Sequence, residues 1–355
     1  MGTTRLLLAL SVALWHIPGR PLLLVQATPA VLGFFIISGF YMAMVLTEKY
    51  RDNRSFYIAR LWRLYPAYFA SAAALLLWLA IHHAPTAFTT GTGLPVGEQI
   101  TLMWLNLFVV GQDVFELTRH TLGNTAFFNT QWMLIGQAWS LSAEVFFYCL
   151  APFVVRSLRG TVAFLIAALA LRWLLLGWLH LPWWWGYFFF PGALCMFLMG
   201  SLAYHLHAHL KLRHEKLIAR VVAAGWVVAL VCSVKTSGTM LPAGPRAGID
   251  GPIFWFSYVS FAASVPLLFA WSKDSRLDRM IGDLSYPLYL VHGYVQGTLF
   301  FVFGVPATGF LGPIAALCAS VIAAIAVRVL VELPIEAWRP GRLPRSSTGA
   351  VGRAV

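Results

Sequence analysis

RLLLALSVALWH (residues 5–16), AVLGFFIISGFYMAMVL (30–46), EKYRDNR (48–54) and FYIARLWRLYPAY (56–68) decide the fold of this chain. Two apolar runs are followed by a charged patch, and a third apolar run begins behind a pair of arginines. The first run opens behind Arg5 and closes on a histidine, His16. Runs of this kind read as membrane spans. An ionisable group inside lipid is costly enough that it faces a protein interior or a cavity, and it often does chemistry. The remaining spans then form a cage around this stretch.

Of the 355 residues, 59% are hydrophobic and 11% charged, against roughly 25% charge in an ordinary soluble domain. Apolar runs of about 20 residues recur along the whole chain, and no long polar segment is left for a separate domain. The sequence predicts an all-α polytopic transmembrane bundle, with residues 1–338 as one membrane domain and 339–355 as a basic cytoplasmic tail. The net charge of +12 would suggest nucleic acid as a partner for a soluble protein. Here the cations cluster in short loops between apolar runs, where they set orientation, so membrane lipids and not nucleic acid are expected around the chain. Cys149, Cys195, Cys232 and Cys318 show no CxxC spacing and read as small buried hydrophobes. No small-residue cleavage site follows the first run, which reads as a retained span and not a removed signal.

The loop 48–63 holds five basic and two acidic residues, which places it and the N-terminus in the cytoplasm. Spans are expected at Thr4–Ile17, Thr28–Thr47, Leu64–Ile81, Ala138–Val155, Thr161–Leu179, Tyr187–Leu206, Leu217–Val234, Pro252–Trp271, Gly282–Val302 and Leu311–Leu330. That is about ten spans with both termini inside. Residues 82–136 stay on the outer side. Within them Ile100–Val110 is apolar but too short to cross, and reads as re-entrant or interfacial. Trp183, Trp184 and Trp185 mark the outer interface.

Helix rise places four polar groups near one level. His16 lies roughly 17 Å from the inner interface, Glu144 roughly 20 Å, His292 roughly 15 Å and Ser38 about mid-depth. Each has a plain alternative. His16 fits an interfacial histidine, His292 a hydrogen bond to a neighbouring span, and Ser38 with Gly39 a small pair for helix packing. Glu144 fits one half of a structural pair, and Arg60 and Arg63 fit anchors of the third span. The two arginines, three apart, also share a helix face, and their guanidinium forks suit phosphates. Tyr148, Tyr286 and Tyr289 are ordinary in so aromatic a chain.

These residues sit in motifs that resemble the integral-membrane acyltransferase-3 family, which includes bacterial polysaccharide and lipopolysaccharide O-acetyltransferases. The matching pieces are the helix from Arg5 to His16, FFIISGF (34–40), RLWRLYP (60–66), WSLSAE (139–144) running into FYCLAP (147–152), GDLSYPLYLVH (282–292) and ELP (332–334). The family's Gly-Val-Asp before the paired phenylalanines is absent; those positions read Ala30-Val31-Leu32. Many relatives also carry an outer SGNH-type esterase domain, which is not expected here.

The resemblance implies transfer of an acyl group, usually acetyl, from cytoplasmic acyl-CoA to a hydroxyl of a glycan, a glycolipid or a small molecule. It places the chain in the bacterial cytoplasmic membrane, with acetyl-CoA or another acyl-CoA as donor and no metal. A neutral imidazole at mid-depth can take the hydroxyl proton and a carboxylate can steady it, so His16 is expected as the base with Glu144 as its partner, a pairing drawn from depth. Arg5, Arg60 and Arg63 are expected to hold the CoA phosphates. Ser38, Trp139, Ser140, Tyr148, Ser285, Tyr286, Tyr289, His292 and Glu332 are expected to support substrate or structure. Two other classes use the same residues. A proton-coupled transporter or flippase of a glycolipid would make His16 and Glu144 a relay and work without CoA. A non-catalytic scaffold would tolerate replacement of His16 together with Arg60. The sequence names neither the acceptor nor an oligomeric state.

Overall fold

Lipid offers the backbone no hydrogen-bond partner, so an apolar run of span length satisfies its N–H and C=O groups within its own helix. The computed structural model describes residues 1–18, 25–82, 94–123, 133–209, 251–306, 309 and 311–338, with a few more between 217 and 225. Its elements are α1 (Gly2–Trp15), α2 (Ala27–Glu48), α3 (Asn53–Ile81), α4 (Val96–Phe108), α5 (Gln112–Leu122), α6 (Trp139–Val154) and α7 (Leu158–Trp173). They continue with α8 (Phe190–His209), α9 (Pro252–Ser272), α10 (Arg276–Asp283), α11 (Ser285–Gly297), α12 (Leu311–Val327) and α13 (Leu333–Trp338). Wider π-type turns extend α7 to Trp178, α11 to Val302 and α12 to Glu332. Among the described residues five stretches are long and apolar enough to cross a membrane: α2, α3, extended α7, most of α9, and α12 through α13. The chain is an all-α, multi-pass membrane bundle.

Several boundaries differ from the sequence expectation. α3 begins at Asn53, not near Leu64, so Arg60 and Arg63 lie inside a helix and not at its threshold. The cause is a cap: the Asp52 carboxylate accepts from the Ser55 N–H at 2.8 Å, which lets a polar segment join the apolar one. The span expected at Gly282–Val302 is broken at Leu284 into α10 and α11. The last span runs past Leu330 to Trp338. α4 has 13 residues, a rise of about 20 Å, short of the roughly 30 Å hydrocarbon core. Of the described cysteines only Cys195 is buried; Cys149 and Cys318 face outward, because the lipid-facing side of a bundle takes apolar residues as readily as its core. Cys232, most of the expected span Leu217–Val234 and the tail 339–355 lie outside the described residues.

α2 is the axis of the packing and lies against α1, α6, α8 and α9. Its closest approach is to α8. A Cβ on Gly39 would fall 1.7 Å from the Phe197 carbonyl oxygen, and one on Gly200 would fall 1.8 Å from that of Ile36. The Ser201 hydroxyl donates to the Gly39 carbonyl across this contact at 2.9 Å. Gly39 therefore serves helix packing by itself, and Ser38, about 100° round the helix, is left for another contact. Phe35, Phe197 and Phe147 stack in series with centroids 4.4 Å apart at each step. α11 packs on α1 and α12, and Gln296 donates to the Ala13 carbonyl at 3.0 Å.

Contacts at the helix ends sort them by side. Arg156, past the end of α6, donates to the Tyr50 carbonyl at 3.0 Å and to Asn53 Oδ1 at 2.8 Å. Tyr204 of α8 donates to Glu48 at 2.8 Å. Asp278 of α10 accepts from the Gly2 and Thr3 N–H groups at 2.7 and 2.8 Å, and from the Met1 ammonium at 2.8 Å. Burial alone would raise its pKa, but these hydrogen bonds outweigh it and hold the carboxyl well below the usual carboxylate range. At the other end of the bundle, the Trp184 indole donates to Thr121 of α5 at 3.3 Å.

Candidate active site

α2 forms one wall of a cavity of about 430 Å³, whose lining runs along this helix from Val31 to Val45. By helix rise that is roughly 21 Å. Arg5 of α1 and Arg60 and Arg63 of α3 line it. They also line a second cavity of about 230 Å³, shared with Lys49 and Tyr50 just beyond α2, which fixes the arginine end as the Val45 end.

No hydrogen bond or ion pair reaches any of these three guanidinium groups among the described residues. The Arg60 Nε is buried without a partner, and its guanidinium lies 5.7 Å from the Phe56 ring and 5.9 Å from the Tyr148 ring. The carboxylates of Glu144 and Asp283 line the same cavity without pairing with Arg5 or Arg63. A polar nitrogen buried without a partner is expensive. Three guanidinium groups around one chamber, with no hydrogen bond or ion pair among the described residues, suit an anionic ligand. Arg328 differs: it pairs with Asp283 at 2.8 Å, Glu332 at 3.2 Å and Glu336 at 2.6 Å. Glu332 thus belongs to an ion-pair network on the wall of the second cavity.

Glu144, one turn before Tyr148 on α6, accepts from the Ser38 hydroxyl at 2.7 Å and from the Tyr148 hydroxyl at 2.5 Å, both on Oε1. Further along the cavity, the Tyr289 hydroxyl donates to the Gln137 carbonyl at 3.0 Å and shares a hydrogen bond with Ser140 at 2.7 Å. The Gln137 amide returns to the Tyr289 and Leu290 carbonyls at 3.0 and 2.8 Å. Gly293 makes this clamp possible, since a Cβ there would sit 3.2 Å from the Gln137 side-chain oxygen. Tyr286 ties α11 to α3 by donating to the Leu64 carbonyl at 2.8 Å, and the Ser285 hydroxyl donates to the Gly282 carbonyl at 2.7 Å. Trp139 does not line the cavity; it packs on Phe35, Tyr187 and Phe188.

The two histidines lie beyond Tyr289. His292 is buried, with its ring centroid 5.9 Å from that of Tyr289 and 5.1 Å from that of His16. His16 ends α1 and is exposed. Its Nδ1 lies 2.8 Å from the Val12 carbonyl. A carbonyl can only accept, so Nδ1 carries the hydrogen, and in the neutral ring Nε2 keeps a lone pair. That is the form a general base needs. The expected pairing of His16 with Glu144 does not occur: Ser38 and Tyr148 are the partners of Glu144, and His292 stands beside His16. Similar depth did not bring the two together, because rotation about each helix axis turns Glu144 toward the arginine chamber.

Thus Arg5, Ser38, Arg60, Arg63, Ser140, Glu144, Tyr148, Ser285, Tyr286 and Tyr289 share one cavity, and His16 with His292 forms a separate pair. Gln137, Asp283 and Arg328 escaped the sequence reading. For Arg328 a signal existed, an intramembrane arginine four residues before Glu332. Among the described residues no group of three or more His, Cys, Asp or Glu is placed to hold a metal ion.

The model of the acyltransferase domain family matches residues 3–332, a range that includes the three chamber arginines and both histidines. The chain belongs to the acyltransferase-3 family. No match was found among curated proteins or among solved structures. An acyltransferase-3 protein of this kind is an acyl-CoA-dependent O-acyltransferase of the membrane. The donor is polyanionic, and a buried Arg60 Nε without a partner, among arginines with no ion pair to a described residue, fits its phosphates.

Proposed function

We propose that the protein moves an acyl group, acetyl first, from cytoplasmic acyl-CoA to a hydroxyl of a glycan, glycolipid or glycosylated small molecule at the outer face of the bacterial cytoplasmic membrane. The observation that carries this reading is the chamber lined by Arg5, Arg60 and Arg63, none of which makes an ion pair among the described residues. The arginines hold the CoA phosphates, and the pantetheine arm follows α2 toward Ser140 and Tyr289. The acceptor arrives from the opposite side, where His16 is exposed. Its hydroxyl oxygen attacks the thioester carbonyl and forms the ester C–O bond while the C–S bond breaks. His16 Nε2 takes the hydroxyl proton, which passes to the departing thiolate to give free CoA. His292 packs beside the base, and Glu144 holds Ser38 and Tyr148 while its charge faces the arginines.

About ten spans with both ends inside complete the proposal. The contacts of Arg156 with the α2–α3 link, and of Asp278 with the start of α1, support the parity it requires. In spheroplasts, a membrane-impermeant maleimide is expected to label a cysteine placed at Glu98 and to spare one at Lys273, in a background freed of native cysteines. Labelling at Lys273 equal to that at Glu98 would remove the topology.

Purified protein given isotope-labelled acetyl-CoA and a host glycolipid extract is expected to yield an esterified acceptor by mass spectrometry. CoA-independent transport with no ester formed would return the chain to the transporter class. Glu144→Gln tests the new role of that residue. The amide keeps an acceptor oxygen for Ser38 and Tyr148 but removes the charge facing Arg5 and Arg63. Acetyl-CoA affinity is expected to rise about tenfold, the effect of a unit charge at intermediate range in a protein; a fall by calorimetry would contradict it.

A further inference from the structure

The cavity stops short of the histidines. Neither His16 nor His292 lines it, whereas Val31, Phe34, Ser140 and Tyr289 do. Tyr289 is fixed at both ends, its hydroxyl by Ser140 and the Gln137 carbonyl, its own carbonyl by the Gln137 amide. Phe34 meets the Tyr289 ring edge to face, at a centroid distance of 6.2 Å and an angle of 64°. The neighbouring Phe35 is held by stacking on Phe197 at 4.4 Å and by Trp139 at 6.4 Å. Phe34 therefore stands against Tyr289, which cannot move without breaking hydrogen bonds. Beside Tyr289 lies His292, and next to it His16.

We infer that Phe34 sets the length of the acyl chain the enzyme accepts, acting with Tyr289 as an aperture between the CoA chamber and the histidines. The inference rests on the acyl-CoA reading above. A thioester presented to His16 must lead with its acyl group, and the group must pass Phe34 first. Acetyl and propionyl need only a small displacement of the ring. Each further methylene must find space against a ring already in contact. Discrimination of one methylene in an apolar pocket is about 10- to 200-fold.

The test uses the full-length protein in detergent, a host glycolipid extract as acceptor, and release of the CoA thiol as readout. Acetyl-, butyryl- and hexanoyl-CoA are compared, with binding of each measured on the same preparation. The wild-type rate is expected to fall at least about tenfold from acetyl to butyryl and again to hexanoyl. Phe34→Ala is expected to raise the hexanoyl-to-acetyl rate ratio at least about tenfold, and Phe34→Leu by an intermediate factor. Met44→Ala, in the same cavity but roughly 15 Å along α2, is expected to leave the ratio unchanged. If Phe34→Ala does not fold, Phe34→Leu decides. An unchanged ratio in a folded variant that still uses acetyl-CoA would overturn the aperture, as would an equal shift in Met44→Ala or a wild type indifferent to chain length. Those results, with acyl-CoA still bound, would leave the donor reading standing. Loss of acyl-CoA binding by the wild type would instead defeat the donor reading.

Discussion

His16→Ala is expected to lower transfer by about 10²- to 10⁴-fold while acyl-CoA binds as before. The separation follows from α1 itself. Arg5 and His16 lie on one helix and its cap, eleven residues apart, or roughly 17 Å. The arginine lines the chamber, and the histidine is exposed beyond it. Removing the imidazole leaves every chamber residue in place. The Nδ1–H to the Val12 carbonyl lies within α1. Transfer and acyl-CoA binding should be measured at matched amounts of folded protein. A folded His16→Ala enzyme working at a near-normal rate would end the assignment of His16 as base. Attention would then pass to His292, whose ring lies 5.1 Å away.

Arg60→Ala with Arg63→Ala is expected to weaken acyl-CoA binding about 100-fold or more, since hydrogen bonds to charged groups contribute about 1.5–3 kcal/mol each. The fold should survive, because among the described residues neither guanidinium is tied to another side chain by a hydrogen bond or ion pair. Lysine at both positions should restore binding only in part, because it supplies a point charge without the planar fork. Calorimetry on the detergent-purified double variant reads the effect. Unchanged affinity would reduce the pair to anchors of α3.

The helices were legible where hydropathy alone forms them. α2 was expected at Thr28–Thr47 and is found at Ala27–Glu48; α9 was expected at Pro252–Trp271 and ends at Ser272. Legibility fails where local hydrogen bonds override composition. Residues 53–63 look like a loop, yet the Asp52 cap makes them helix. The break at Leu284 and the π-type turn at Arg328–Glu332 leave no periodic trace. The same limit applies to the site. Residue spacing gives depth along a helix but not the direction a residue faces at that depth. His16 and Glu144 were therefore set on one level and prove to belong to separate clusters. The arginines were found because their chemistry is carried by residue type. Gln137 was not, since a single glutamine before Trp139 shows nothing of the backbone it clamps.

On the proposed reading, the chamber arginines grip the portion of the donor that the reaction leaves unaltered. Free CoA keeps every phosphate of acetyl-CoA, so the spent carrier holds to the chamber nearly as firmly as the loaded one. Interactions shared by both cannot favour turnover. The spent carrier must leave before a new one enters, and in the cytoplasm the two forms compete for one seat. Flux through the enzyme then follows the proportion of CoA that is acylated and not the total pool. Decoration of the cell surface is thereby coupled to the metabolic state of the cytoplasm, with no separate sensor.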